Sequence, residues 1–208
     1  MDEPITTLQL TLGAEGFHFF VPLLQQGVFV RVPPGSSIKS FLVDTLVLTP
    51  EYAEKRIQTV FVDGKVVDDW DRTVLGPGST LALSAAAPGL AGAILRRQGP
   101  LSTMRKPITH GLEKRPFDKA GGIIGLKLFN LLVGELGPPI LEKGILLPRE
   151  DLESFFKTLP DEFWTKCRKA RVDGKEIGPT SLRETRSFSA HTHLGLALKF
   201  ITKSPSSA

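Results

Sequence analysis

Residues able to do chemistry are few and scattered in this chain. His191-Thr192-His193 holds the one close histidine pair, and residues two apart on a strand share a face, so both imidazoles could reach one metal ion. No third ligand stands at metal-site spacing, and the pair reads as two half-exposed histidines at a strand start. Cys167 lies in Lys166-Cys167-Arg168-Lys169-Ala170-Arg171, where cationic neighbours favour a thiolate. A nucleophile also needs a base and an oxyanion site, and spacing marks neither, so the cysteine reads as structural. Gly121-Gly122-Ile123-Ile124-Gly125 has the glycines of a phosphate loop but lacks the Gly-Lys-Ser/Thr ending. It runs into a strand-like stretch, Leu126 to Val133, and reads as a loop entering that strand. Asp68, Asp69 and Asp71 crowd around Trp70 as a solvated turn rather than an acid/base pair. No catalytic residue, metal site or cofactor is expected.

The elements that would position these residues come in two similar sets. Pro22-Leu23-Leu24-Gln25-Gln26-Gly27-Val28 is echoed by Pro139-Ile140-Leu141-Glu142-Lys143-Gly144-Ile145. A helical pattern follows each: Ile38, Phe41, Leu42 and Leu46 (a helix over Ser37 to Val47), then Leu152, Phe155, Phe156 and Leu159. Spacings of three and four gather each set on one helix face. Ser37 can cap the first helix, and Glu150 and Asp151 place negative charge at the start of the second. Pro50 and Pro160 each open a short turn. Twelve residues after each begins a Val-Asp-Gly-Lys, at Val62-Asp63-Gly64-Lys65 and Val172-Asp173-Gly174-Lys175. Asp-Gly between strand formers predicts a tight hairpin, because its two central residues need positive φ. Leu81-Ala82-Leu83 and Leu196-Ala197-Leu198 then mark a final strand in each set. Five features in the same order predict a diverged duplication. The predicted strands of the first half are Thr7 to Leu12, Val28 to Val32, Gln58 to Val62, Lys65 to Val67 and Thr80 to Ala85. Strands around one helix imply an α+β mixed sheet with the helix across one face.

The chain has 208 residues, 41% of them hydrophobic, and a single cysteine. Such a composition gives a folded core and excludes a disulfide scaffold or a Cys-rich zinc fold. No apolar run reaches about 18 residues and Met1-Asp2-Glu3-Pro4 has no export pattern, so a cytoplasmic protein without membrane spans is expected. Charge is uneven: residues 1–95 hold 6 Lys/Arg and 10 Asp/Glu, residues 96–119 hold 7 and 2, and residues 120–208 hold 13 and 10. The middle segment, with Arg96, Arg97, Arg105, Lys106, Lys114, Arg115 and Lys119 among prolines and glycines, reads as an extended basic linker. Lys166, Arg168, Lys169 and Arg171 add cations on a predicted strand. Together these are the candidate binding residues. Aromatic residues do not interleave with them, which disfavours nucleic acid and leaves an acidic partner or the chain's own acidic first half. Phe17-His18-Phe19-Phe20-Val21 reads as core.

One stretch resembles a known family. Gln58-Thr59-Val60-Phe61-Val62-Asp63-Gly64-Lys65-Val66-Val67, then Thr73 to Leu83 through Gly76-Pro77-Gly78, then Ala87-Pro88-Gly89-Leu90-Ala91-Gly92, is similar to the C-terminal half of the ubiquitin-like β-grasp sulfur carriers, the ThiS and MoaD group. The resemblance covers residues 5–92. It implies two tandem β-grasp halves, residues 1–95 and 120–208, with the linker 96–119 between them. Sulfur carriers act through a free C-terminal Gly-Gly, whereas Ala91-Gly92 is followed by another 116 residues. The fold therefore carries over more safely than the activity, and a non-enzymatic protein-binding or adaptor role is expected. The alternatives are a sulfur-carrier-related protein cleaved near Gly92, and a small enzyme or ligand-binding protein with its site between the halves.

Overall fold

The computed structural model describes residues 5–85, 89–97, 122–184 and 193–201. The chain is α+β with a mixed sheet. Its elements run β1 (Thr6–Gly13), a 3-10 turn (Ala14–Phe20), α1 (Val21–Gln26), β2 (Val28–Arg31), α2 (Ile38–Ser40) continuing into a π-helical turn (Phe41–Thr45), and α3 (Pro50–Arg56). After these come β3 (Thr59–Val62), β4 (Lys65–Val66), β5 (Thr80–Ser84), α4 (Gly89–Leu95), β6 (Ile123–Phe129), α5 (Leu131–Lys143) and β7 (Ile145–Pro148). The last are α6 (Arg149–Thr158), α7 (Asp161–Lys166), β8 (Lys169–Val172), β9 (Lys175–Ile177), a 3-10 turn (Pro179–Glu184) and β10 (His193–Ile201).

Two compact units divide the chain, one continuous (Leu24–Gly137) and one split (Met1–Leu23 with Pro138–Ala208). The boundaries differ from the sequence division into 1–95, 96–119 and 120–208, and strand partnering is the reason. In the continuous unit β6, from beyond the linker, lies antiparallel to β2 and parallel to β5. Strand β5 continues antiparallel to β3, and β3 turns into β4. In the split unit β1 runs parallel to β10 over eight residue pairs and antiparallel to β8. Strand β10 pairs with β7, and β8 turns into β9. Each unit thus has a parallel central pair flanked by antiparallel neighbours, and each takes one strand from the other half of the sequence.

The two hairpins fix which strands correspond. Asp63 and Asp173 both have positive φ (52° and 48°), and so do Gly64 and Gly174 (77° and 79°). The residue pair is what this turn geometry demands. Each aspartate also clamps the strand beside its hairpin. Asp63 Oδ1 accepts the Thr80 amide at 2.8 Å, and Asp173 Oδ1 accepts the Thr7 amide at 2.7 Å. The reverse bonds, Asp63 N–H to Thr80 C=O and Asp173 N–H to Thr7 C=O, are 2.9 and 2.8 Å. So β1 fills in the split unit the place that β5 fills in the continuous one. The matching Leu-Ala-Leu sequences of β5 and β10 therefore occupy non-equivalent positions, a correction to the five-part repeat. The Pro-apolar-Gly echo does correspond: Gly27 and Gly144 (φ 122° and 99°) turn helices α1 and α5 into β2 and β7.

Several local expectations shift. Ser37 caps α2 through its hydroxyl, 3.2 Å from the Ser40 amide, but the predicted helix to Val47 widens at Phe41, where Leu46 N–H reaches Phe41 C=O at 2.9 Å. Pro50 opens a helix rather than a turn, since Thr49 caps it (Tyr52 N–H to Oγ1, 3.1 Å) and a first-turn proline gives up no needed donor. Pro160 likewise precedes helix α7. The strand-like run Leu126 to Val133 ends at Phe129, and Asn130 in the left-handed region (φ 55°) starts α5. The continuous unit buries Ile38, Phe41, Leu42, Leu81, Ile124, Leu126 and Leu128 completely; the split unit does the same with Leu8, Leu10, Leu12, Phe20, Phe163 and Leu196.

Candidate functional site

Alternation along β1, β8 and β10 gives the split unit two unlike sheet faces. Leu8, Leu10, Ala170, Leu196 and Leu198 point into the core. Gln9, Thr11, Lys169, Arg171, Ala197 and Lys199 point the other way, and with Glu142 of α5 they line a groove of about 460 Å³. Register sets its layout. Thr11 stands between Lys169 and Lys199 in one cross-strand row, and Gln9 between Arg171 and Ala197 in the next.

The groove is cationic. Lys169, Arg171 and Lys199 face one lining carboxylate, Glu142. Glu176 on β9 sits at the rim, 3.7 Å from Lys169 Nζ and 3.8 Å from an Arg171 Nη, beyond hydrogen-bond reach of both. About half of the Lys169 and Arg171 side chains remains exposed (55% and 48%), leaving donor capacity turned to solvent. Such an arrangement can attract and orient anionic groups.

No protein-family model, curated protein or solved structure matches this chain.

The sequence-predicted binding residues are dispersed. Lys166 is not on the strand: it ends α7 and pairs with Glu162 one turn back at 2.5 Å, which raises the lysine's pKa and lowers the glutamate's. Arg168 precedes β8, its amide donating to Thr11 C=O at 2.9 Å, and its exposed side chain is not among those lining the groove. Arg97 lies over the ring of buried Trp70 at 3.8 Å, and its amide reaches Gln58 C=O at 2.8 Å. This stacking on an aromatic face anchors the start of the linker. Arg96 is exposed, its amide bonded to Gly92 C=O at 2.9 Å. Arg105, Lys106, Lys114, Arg115 and Lys119 lie outside the described residues, as do His191 and Thr192; His193 opens β10. Lys199, Gln9 and Thr11 as groove-lining residues were missed by sequence reasoning. The signal was the alternation in Thr7-Leu8-Gln9-Leu10-Thr11 and Leu196-Ala197-Leu198-Lys199, which has meaning only once β1 is known to pair with β10.

The remaining chemical candidates have structural roles. The aspartate turn is solvated: Asp71 pairs with Lys39 at 2.8 Å and Asp69 accepts the Arg72 amide at 3.0 Å. Among the described residues, no cluster of three His, Cys, Asp or Glu side chains could hold a metal ion. In the continuous unit Glu135 accepts from Tyr52 and Arg56, tying α5 to α3. Burial and the carboxylate beside it push the Tyr52 hydroxyl up to about 12, while Arg56 and Tyr52 hold Glu135 below its ordinary range.

Cys167 departs from its expected electrostatics. It is buried, and desolvation, only partly opposed by its backbone hydrogen bond with Lys169, raises the thiol to about 11. The folded protein is therefore expected to resist iodoacetamide near pH ~8 and to react fully in denaturant, followed as mass gain over time. Because the unfolded thiol ionises near its ordinary 9.0, the stabilisation from keeping it neutral holds below that pH. It is lost as pH rises towards about 11.

Proposed function

We propose that this chain is a non-enzymatic protein-binding or adaptor protein built on two β-grasp, ubiquitin-like units. The observation that carries this reading is the groove face of the split unit, an exposed arrangement of lysine, arginine, amide and hydroxyl groups over a three-strand floor. Its lining side chains supply three cations, an amide and a hydroxyl against one carboxylate, groups suited to holding a charged partner surface. The mixed five-strand arrangement with an Asp-Gly hairpin in each unit supports the β-grasp assignment, with β6 and β1 completing each other's halves. The carrier alternative is disfavoured by Gly92, which lies buried within α4 with its carbonyl bonded to Arg96. Carboxylate chemistry there would need the chain cut and the helix opened. No helix among the described residues is long and apolar enough to cross a membrane.

The test is a photo-crosslinking residue placed at Thr11 in the full chain, expressed in its native host. A discrete protein adduct, absent when the crosslinker replaces exposed Lys65 on β4, is the expected result. Equal or absent adducts at the two positions would sink the adaptor reading.

A further inference from the structure

We infer that the groove of the split unit takes an extended acidic peptide segment of the protein partner, read by side chains across the sheet face; this rests on the binding reading above. The first argument is charge. Three cations face one lining carboxylate, and the single acid at the rim is shared between two of them at distances too long for hydrogen bonds.

Spacing supplies the second. Lys169 and Arg171 are two residues apart on β8, about 7 Å along the strand, and Lys169 and Lys199 are two strands apart, about 10 Å across. An extended peptide places carboxylates two residues apart on one face at about 7 Å. Acidic residues at alternate positions of a segment lying along β8 therefore meet Lys169 and Arg171, with Lys199 across the sheet adding positive charge and the Gln9 amide and Thr11 hydroxyl offering hydrogen bonds.

A third argument separates this occupant from a compact anion. Compact phosphate sites converge backbone amides on one point, whereas β1, at the centre of the groove, is paired on both sides over Leu8–Thr11, to β8 and to β10. Its main-chain groups there are committed to the sheet. Recognition falls to dispersed side chains, which suits dispersed carboxylates.

The experiment titrates the full-length protein into a labelled peptide of alternating Glu and Ser, followed by fluorescence anisotropy. Binding should weaken steeply with added salt. Arg171→Gln and Lys199→Gln should each weaken it about tenfold, Glu142→Gln should tighten it two- to threefold or so, and Lys65→Gln should leave it unchanged. All four positions are exposed, and a melting curve for each variant verifies that it folds. Three results each overturn the inference: equal binding of a Gln-Ser peptide, displacement of the Glu-Ser peptide by equimolar inorganic phosphate, or wild-type binding by folded Arg171→Gln and Lys199→Gln proteins. The two readings fail differently. A cellular adduct at Thr11 that persists in the Arg171→Gln/Lys199→Gln protein defeats the acidic-peptide inference and spares the adaptor reading, whereas loss of every adduct in the wild-type groove defeats the adaptor reading itself.

Discussion

A chain cut between Arg97 and Gly122 is expected to stay together under native conditions, and neither piece is expected to fold alone. Strand β6 lies between β2 and β5, pairing with both. A fragment ending at residue 97 loses Ile124, Leu126 and Leu128, all fully buried, each worth roughly 1.5–3 kcal/mol of burial. Their sum is comparable to the whole net stability of a typical domain, about 5–15 kcal/mol. The complementary fragment loses β1, with Leu8, Leu10 and Leu12 fully buried and eight residue pairs made with β10. The measurement inserts a specific protease site after Met104 and compares native gel filtration with denaturing electrophoresis. Two bands on the denaturing gel from a single native peak is the expected outcome. Residues 1–97 expressed alone should lack a cooperative thermal transition and regain one when refolded with residues 122–208. A cooperative, independently folded 1–97 would refute the strand exchange. The same cut bears on the carrier alternative, since cleavage near Gly92 would leave a fragment still held by β6 and β10.

Local structure was largely legible in the sequence, and long-range pairing was not. The strands at Thr6–Gly13, Val28–Arg31, Thr59–Val62, Lys65–Val66 and Thr80–Ser84 follow alternation and the Asp-Gly turn, which act within a few residues. Ser37 as a cap, the negatively charged start of α6 and the buried Phe20 are readable for the same reason. Helix α5 was hidden because Gly134, Gly137, Pro138 and Pro139 all disfavour helix interiors, yet the segment is helical from Leu131 to Lys143. Packing overrides propensity there, with Leu132, Leu136, Ile140 and Leu141 buried.

Partner choice depends on contacts far apart in the chain, from 45 residues between β5 and β6 (125 − 80) to 188 between β1 and β10 (194 − 6), and β1, β5, β6 and β10 all carry alternating or continuous apolar residues fit for a central strand. Identical Leu-Ala-Leu sequences even pointed to the wrong equivalence, while the aspartate clamps on Thr80 and Thr7, invisible to any pattern, identify the right one. The candidate site inherits this asymmetry. Lys169 and Arg171 were readable as cations on one strand, but their meeting with Lys199 across Thr11 is a product of the β1–β10 register. Lys166 and Arg168 were grouped with them by sequence proximity alone, although α7 ends between Lys166 and the strand.

Replacing Phe163 by alanine is expected to cause a large loss of stability. Its ring is fully buried and stands edge-on to three others: Phe19 at 5.4 Å, Phe20 at 5.8 Å and Trp164 at 5.0 Å between centroids. Phe20 in turn meets Phe155, and Trp164 meets Phe156, so helices α6 and α7 and the 3-10 turn after β1 share one aromatic cluster. Truncating a buried phenylalanine costs about 3–5 kcal/mol, because the transfer energy is lost and the cavity only partly collapses. Edge-to-face contacts of this kind add about 0.5–1.5 kcal/mol each beyond burial. For a chain of this size the melting midpoint should fall by roughly 6–20 °C. Phe155→Ala, at a half-buried position with neighbours able to close over it, should lose only about 1 kcal/mol. The comparison is made by thermal melts in near-ultraviolet circular dichroism, which reports aromatic packing directly. Similar losses for the two variants would mean that the cluster is not centred on Phe163. Because β1 and β8 flank both this cluster and the groove, the Phe163→Ala protein should also bind the acidic peptide more weakly as its midpoint is approached, while Phe155→Ala binds normally over the same temperatures.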